Sequence, residues 1–531
     1  MIEIPLSKTN LVPNIVLDYL NHSELVNDLY QFKHEIESYK SLIQNHHIKQ
    51  NQRQLLKDNL LNQYNQCGIE LGSDSKVLQN INLLSEPNTF TITTGHQLVL
   101  AGGPLFVAYK ILTAIKVCID LKKLLPEYNF VPILWLASED HDFEEISEIF
   151  IFNKSLKWRM ETNNMPVGTL TLETLKNDIL ELIEIIDKNE TGRSYTELLK
   201  KCYLESSNLS EASIKWFHNI FKEYGLVVLE PNQKGFKTTF IDFFKADIFE
   251  NRVYYNMLEM NKNLEQKAYK PTINAREINT FFIHKDLGRK LIKRNDKAFY
   301  LADSEVSFNE SELETLLKSN PELFSPNVCL RPVYQEFILP NLAYIGGPAE
   351  VAYWLQLKNV FKGYNLNMPV VLLRQMILML GSGLKNKVIK SGIEFEDFLN
   401  SDEHLKKQFL KINKAEVLSD NIKNTLDAFQ KLIENAREID EQTAKEILET
   451  KLSIKEYLEQ KKKSFAKKIL EKQDSEFEKV KKVKEKLYPK GIFQERIESL
   501  MQYECIINKK MANEILNSVE ENNDKLIILD I

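Results

Sequence analysis

Residues 91–110 read TITTGHQLVLAGGPLFVAYK. A β-branched run ends at Gly95-His96-Gln97, and a second turn signal, Gly102-Gly103-Pro104, opens an apolar-periodic stretch. The run predicts a strand over 89–94 that stops at Gly95, where the missing Cβ permits a tight turn or a close backbone approach. Downstream, Leu105, Ala108, Ile111, Leu112, Ile115 and Ile119 recur at three- and four-residue spacing, interspersed with Lys110, Lys116 and Lys122. That period predicts a helix over 104–123, with Pro104 suited to its first turn. FVPILWLA at 130–137 reads as a buried strand. Strand, helix, strand is a βαβ unit, so the fold class is α/β with a parallel sheet. GLVVLEP (225–231) and MPVVLLR (368–374) are further short strands.

Outward from this unit, the chain has 531 residues, 43% hydrophobic and 27% charged, enough for a large core and several domains. A net charge of −6, with basic residues spread among acids, points away from nucleic acid. The five cysteines are scattered and form no C-x-x-C, so neither a disulfide framework nor a structural zinc site is expected. The N-terminus carries no secretory pattern and no apolar run reaches the ~18 residues of a membrane span, so a reducing cytoplasm is the expected compartment.

The organisation reads as follows. Residues 1–150 hold polar N-terminal helices (24–65) and the first part of the core, with 211–259 and 326–392 continuing and completing it. Residues 151–210 and 260–325 look like inserted lobes with short β patterns. From Ile393 to Tyr488 there is no glycine or proline and charged residues make up roughly 45%, a composition of long helices. Leu426, Phe429, Ile433 and Ala436, then Ile447, Ile454, Leu458, Phe465 and Ile469, trace a coiled-coil seam with a turn near Asp440. This arm either packs on the chain's own core or dimerises. Residues 489–531 form a closing segment against the core.

The chemistry-bearing residues sit at strand ends. His96 and Gln97, with Gly95, fall at the carboxyl end of a parallel strand, where α/β sheets bind ligands. Gly102 and Gly103 would leave helix amides free for an anion. The frame G-G-P-x-x-V-A-Y recurs at 346–353, so Gly346 and Gly347 predict a second helix entrance facing the same cleft. Glu139, Asp140, His141 and Asp142 follow a buried strand and are candidates for binding an ammonium or for base catalysis. Glu144 and Glu145 suit the start of a following helix. D-x-D beside a histidine is a weak metal signal, so no metal ligands are assigned. Around the second Gly-Gly-Pro, Arg331, Gln335 and Glu350 are candidate substrate contacts. Arg374 would meet an anion or a structural carboxylate. No Walker A, G-x-S-x-G or H-E-x-x-H motif is present.

The ordered set of TTGHQ, GGP-helix, PILWLASEDHDFEEI and LRPVYQEFILPNLAYIGGPAEVAY resembles the bacillithiol-synthesis family BshC, nearly end to end, down to a terminal Q-E-R. The resemblance implies a Rossmann-like core with inserted lobes, a coiled-coil arm that mediates homodimerisation, and a cytoplasmic ligase that joins cysteine to glucosaminyl malate. His96, Gln97, Asp140, His141 and Asp142 would then be the catalytic candidates. It also implies an ATP or ADP pocket near the arm, placed here around Gly381, Ser382, Gly383 and Lys385, with Lys490 and Arg496. A nucleotidyl or glycosyl transferase using the same cleft, or a non-catalytic coiled-coil scaffold, are the alternatives.

Overall fold

The computed structural model describes residues 2–46, 48–295, 298–413 and 415–531, with the backbone alone at 415–419. The sequence-predicted 260–325 lobe and 393–488 arm therefore include residues 296, 297 and 414, which lie outside the described residues.

Five strands form the core sheet: β1 (Thr89–His96), β2 (Asn129–Leu136), β3 (Val227–Leu229), β4 (Asn341–Gly346) and β5 (Val370–Leu373). They run in the order β5-β4-β1-β2-β3, and every neighbouring pair is parallel. This is a Rossmann-type arrangement, in which the chain winds outward in both directions from β1. β1 is buried along its length up to His96, although it is rich in threonine. Its hydroxyls are satisfied inside the sheet: Thr91 and Thr93 both donate to Asn341 Oδ1, at 3.1 and 2.8 Å. A buried hydroxyl without such a partner would cost about 1–3 kcal/mol.

Helix α1 (Leu105–Leu124) connects β1 to β2 and is buried on nearly every side. That explains why its sequence is apolar beyond a single stripe: it is packed between the sheet and C-terminal elements. A short helix, α2 (Pro348–Trp354), follows β4. The order of the sheet reverses between β1 and β4, so their carboxyl ends open a crevice at the switch point.

The first lobe begins with a hairpin, Glu148–Ile151 with Lys154–Lys157, but is mainly helical, over Lys176–Ile186 and Glu190–Leu199. Its short apolar patterns, which by spacing alone suggest strands, fill the helix faces that pack around Trp158, Tyr195 and Trp216. The hairpin also corrects the expectation of a helix after Asp142, because residues 143–146 form a turn into that first strand. The second lobe is an antiparallel five-stranded sheet built from Thr280–His284, Gly288–Arg294, Phe299–Leu301, Ser307–Phe308 and Phe324–Pro326. A third sheet ties the chain ends together: Lys525–Asp530 lies between Ile2–Pro5 and Met376–Leu380.

The arm is a helical hairpin of α3 (Ala415–Arg437) and α4 (Glu441–Lys472), returning to the body through α5 (Asp474–Leu487). Asp440 caps α4, accepting from the amides of Gln442 and Thr443, and Lys451 bonds Gln430 across the hairpin at 2.5 Å. Those two positions lie on opposite sides of the turn at similar separations from Asp440, which makes the pair antiparallel. Ile433 and Ala444 are buried between the helices. Phe465, placed on the seam by its spacing, is 43% exposed instead.

Candidate functional site

The crevice at the switch point is a cleft of about 670 Å³. Its floor is Gly95-His96-Gln97 at the end of β1. Lys110, 1% exposed on α1, donates to the Gly95 carbonyl and to both oxygens of Glu350, at 2.9 and 2.7 Å. Tyr344 Oη–H and the Gly347 amide complete the cage around that carboxylate, at 2.7 and 2.8 Å. Burial would raise the Glu350 carboxyl, but the Lys110 charge and these hydrogen bonds outweigh it and hold it at about 2. His96 stacks edge-on against Phe106 at 5.1 Å. Burial, reinforced by the Lys110 ammonium, depresses its imidazole to about 3 and leaves it neutral at physiological pH. Its Nε2 has no hydrogen-bond partner among the described residues.

One wall is the loop after β2. Gln97 Nε2 donates to Asp140 Oδ2 at 2.6 Å, while the His141 amide and Arg289 Nη1 reach Oδ1 at 2.8 and 3.2 Å. Burial works against the charged carboxylate, but the His141 hydrogen bond, the Arg289 charge and Gln97 outweigh it and hold Asp140 well below the usual range. Asp142 and Glu145 stand at the rim. Burial and the charges of Asp142 and Asp140 push the Glu145 carboxyl up.

The opposite wall is cationic. Arg331 donates from Nη1 to Gln335 Oε1 at 3.0 Å and from Nη2 to Tyr353 Oη at 3.4 Å, with no carboxylate partner among the described residues. Gln335 passes the contact inward to Glu336, which also accepts from Asn341 Nδ2, both at 2.8 Å. Full burial raises the Glu336 carboxyl to about 8. Arg276 and Arg496 also line the cleft and have no carboxylate partner among the described residues.

The structure thus brings Gly95, His96, Gln97, Glu139, Asp140, His141, Asp142, Arg331, Gly347, Glu350, Arg374 and Arg496 to one cavity. Several predicted roles need correction. Gly102 and Gly103 lie outside the cleft, against Tyr195 and Trp216. Both have positive φ, and a Cβ on Gly103 would meet Val99 Cγ2 at 2.5 Å, so close packing requires these glycines. The α1 entrance is closed by the chain itself, since the Leu105 amide donates to the Glu498 carbonyl at 2.7 Å. At the second entrance Glu350 takes the Gly347 amide. Gly346 ends β4 behind the cavity, its carbonyl accepting from the Arg374 amide at 2.8 Å. Gln335 is fully buried behind Arg331 and orients it. Glu139 is already paired with the buried Lys237, so its charge is spent. Arg374 grips Glu495 with both terminal nitrogens, at 2.8 and 2.5 Å, leaving only Nε unpartnered.

The residues assigned to a separate nucleotide pocket do not form one environment. Gly381 and Gly383 face open space, Ser382 is exposed, and Lys385 pairs with Asp530 at 2.6 Å. Lys490 lies over the Phe150 ring and bonds Ser155 in the first lobe, whereas Arg496 lines the main cleft. No group of three or more His, Cys, Asp or Glu side chains among the described residues is placed to hold a metal ion.

Sequence reading missed Tyr344, Tyr353 and Arg289 as cleft residues, and Lys110 as the cation beneath the cleft floor. Lys110 did carry a signal, as the one charged side chain in an otherwise uncharged stretch from Leu105 to Ile115. Arg289 carried none: it arrives from the second lobe through tertiary packing, its Nε bonded to Ser325 at 3.0 Å.

A Rossmann-type sheet with a charged crevice at its switch point and a helical hairpin arm defines an α/β small-molecule-binding protein with a coiled-coil extension. The chain belongs to the bacillithiol biosynthesis BshC family: residues 1–375 match its N-terminal Rossmann-like domain and 377–531 its C-terminal coiled-coil domain. Relatives bearing the name "Putative cysteine ligase BshC" include proteins of Flavobacterium psychrophilum (35% identical, 78% of this chain and 82% of the relative) and Cytophaga hutchinsonii (32%, 94% and 93%). Another, from Christiangramia forsetii, is 31% identical over 98% of this chain and 97% of its own. No helix among the described residues is long and apolar enough to cross a membrane.

Proposed function

We propose that the cleft is the active site of a cysteine ligase, joining the carboxyl group of cysteine to the sugar amine of glucosaminyl malate. The observation that carries this is the charge balance of the walls. Asp140 and Glu350 are held ionised by cationic partners, whereas Arg276, Arg331 and Arg496 face the cavity without a carboxylate partner among the described residues. Such a wall suits a ligand with several carboxylates, and the malate portion supplies two. Asp142 and Glu145 at the rim suit an ammonium.

A carboxylate at neutral pH is a poor electrophile, so ATP is the activating co-substrate in this reading. The cysteine carboxylate attacks a phosphorus of ATP and displaces ADP or pyrophosphate; the sugar amine then attacks the resulting acyl carbon, gives up a proton to a cleft base or to water, and expels phosphate or AMP. His96 is neutral and can accept a hydrogen bond or donate one to the reacting groups. Homodimerisation through the arm belongs to the same proposal, supported by Leu432, Leu448 and Leu452, which are 53%, 38% and 53% exposed on α3 and α4. A homodimer working in the cytoplasm completes it.

The test is purified protein with cysteine, glucosaminyl malate and ATP, read by mass spectrometry of the thiol product. Product is expected, and Asp140→Asn should lower turnover at least 10-fold with the fold retained. Intact protein that makes no product would overturn the reading. Light scattering checks the oligomeric state.

A further inference from the structure

The three residues Gln494-Glu495-Arg496 follow the arm, and their packing separates their roles. Gln494, 2% exposed, holds Met379 from both sides: Oε1 accepts from its amide at 2.9 Å and Nε2 donates to its carbonyl at 3.0 Å. Glu495, fully buried, accepts from both terminal nitrogens of Arg374. Arg374 is itself fixed by the hydrogen bond its backbone amide donates to the Gly346 carbonyl at the tip of β4. On the other flank, the Glu498 carbonyl accepts the Leu105 amide at the start of α1. The backbone on both sides of Arg496 is therefore fastened to elements that build the cleft. Arg496 is exposed, lines that cleft and has no partner among the described residues. An anchored backbone carrying an unengaged guanidinium is the arrangement of a ligand-binding arginine.

We propose that Arg496 binds a carboxylate of the malate portion, so that the segment beyond the arm completes a site otherwise built by the Rossmann-like domain. This rests on the ligase reading above. It makes the cleft composite: the family's two domains divide near residue 376, and Arg496 lies well inside the second. Gln494 and Glu495 act as positioning residues.

Calorimetric titration of the full chain with glucosaminyl malate, and separately with methyl glucosaminide, which lacks both carboxylates, tests this. Arg496→Ala is expected to weaken glucosaminyl malate binding about 10- to 100-fold, leave methyl glucosaminide binding unchanged and leave the thermal midpoint unchanged. Arg496→Lys should recover part of the loss. If wild-type protein binds glucosaminyl malate and Arg496→Ala binds it equally well, or if the variant weakens both ligands alike, the role of Arg496 is overturned and the ligase reading stands. If wild-type protein does not bind glucosaminyl malate, both fall together.

Discussion

Lys110 Nζ lies 2.7 Å from Glu350 Oε2, joining the two Gly-Gly-Pro segments beneath the cleft floor. Lys110 comes one residue after the first G-G-P-x-x-V-A-Y frame, and Glu350 sits inside the second. The repeat therefore marks two helices whose charges meet across the switch point, rather than two anion-binding amide clusters.

Replacing Lys110 by Met would leave Glu350 charged and largely enclosed. Breaking such a pair from one side costs about 3–5 kcal/mol, so Lys110→Met should lower the unfolding free energy by that order in urea titration. In wild-type protein the Glu350 carboxyl is depressed from 4.5 to about 2. Its contribution is fully present above the unfolded value and is lost as pH falls from about 4.5 toward 2. Lys110→Met should flatten that acid limb.

The depressed His96 imidazole predicts that it stays neutral from pH 5 to pH 8. Nitrogen-15 NMR of histidine-labelled protein, with His96→Gln for assignment, should show the neutral tautomer throughout. A midpoint above 6 would contradict the burial argument. The same reasoning says that any activity limb between pH 6 and 8 survives in His96→Gln, even where turnover falls.

Glu336 has the opposite sign. Its folded carboxyl is raised from 4.5 to about 8, so the folded state binds the extra proton and stability declines as pH rises from about 4.5 to 8. Glu336→Gln keeps an oxygen for Gln335 and Asn341 and removes the titration. The variant should lose that slope and exceed wild type at pH 8.5, by up to about 1.4 kcal/mol for each unit of the rise. Equal slopes in urea melts across this range would rule the assignment out.

The two glycine pairs should respond differently to alanine. Gly103 has φ +64° and its Cβ would collide with Val99, so Gly103→Ala should cost about 2–4 kcal/mol. Gly347 has φ −76°, and its Cβ would meet Glu350 Oε2 at 3.3 Å and Arg374 Nε at 3.7 Å. Gly347→Ala should stay within about 1 kcal/mol of wild type in stability while the added methyl weakens ligand binding in the cleft. Thermal melts and calorimetry separate the two effects.

Local pattern alone specified the parallel core, the buried helix after β1 and the helical arm, because period and turn chemistry are properties of neighbouring residues. It also placed Gly95, His96, Gln97 and Asp140 at strand ends, where α/β sheets put their ligands. Which charges remain available was decided only by the tertiary structure. Lys237 neutralises Glu139 from nearly a hundred residues away, Glu495 occupies Arg374, Arg289 enters from an inserted lobe, and Arg496 reaches the cleft rather than the arm. An ionisable side chain acquires its role from the partner it meets, and those partners are distant in the chain, so no local reading of spacing could assign them.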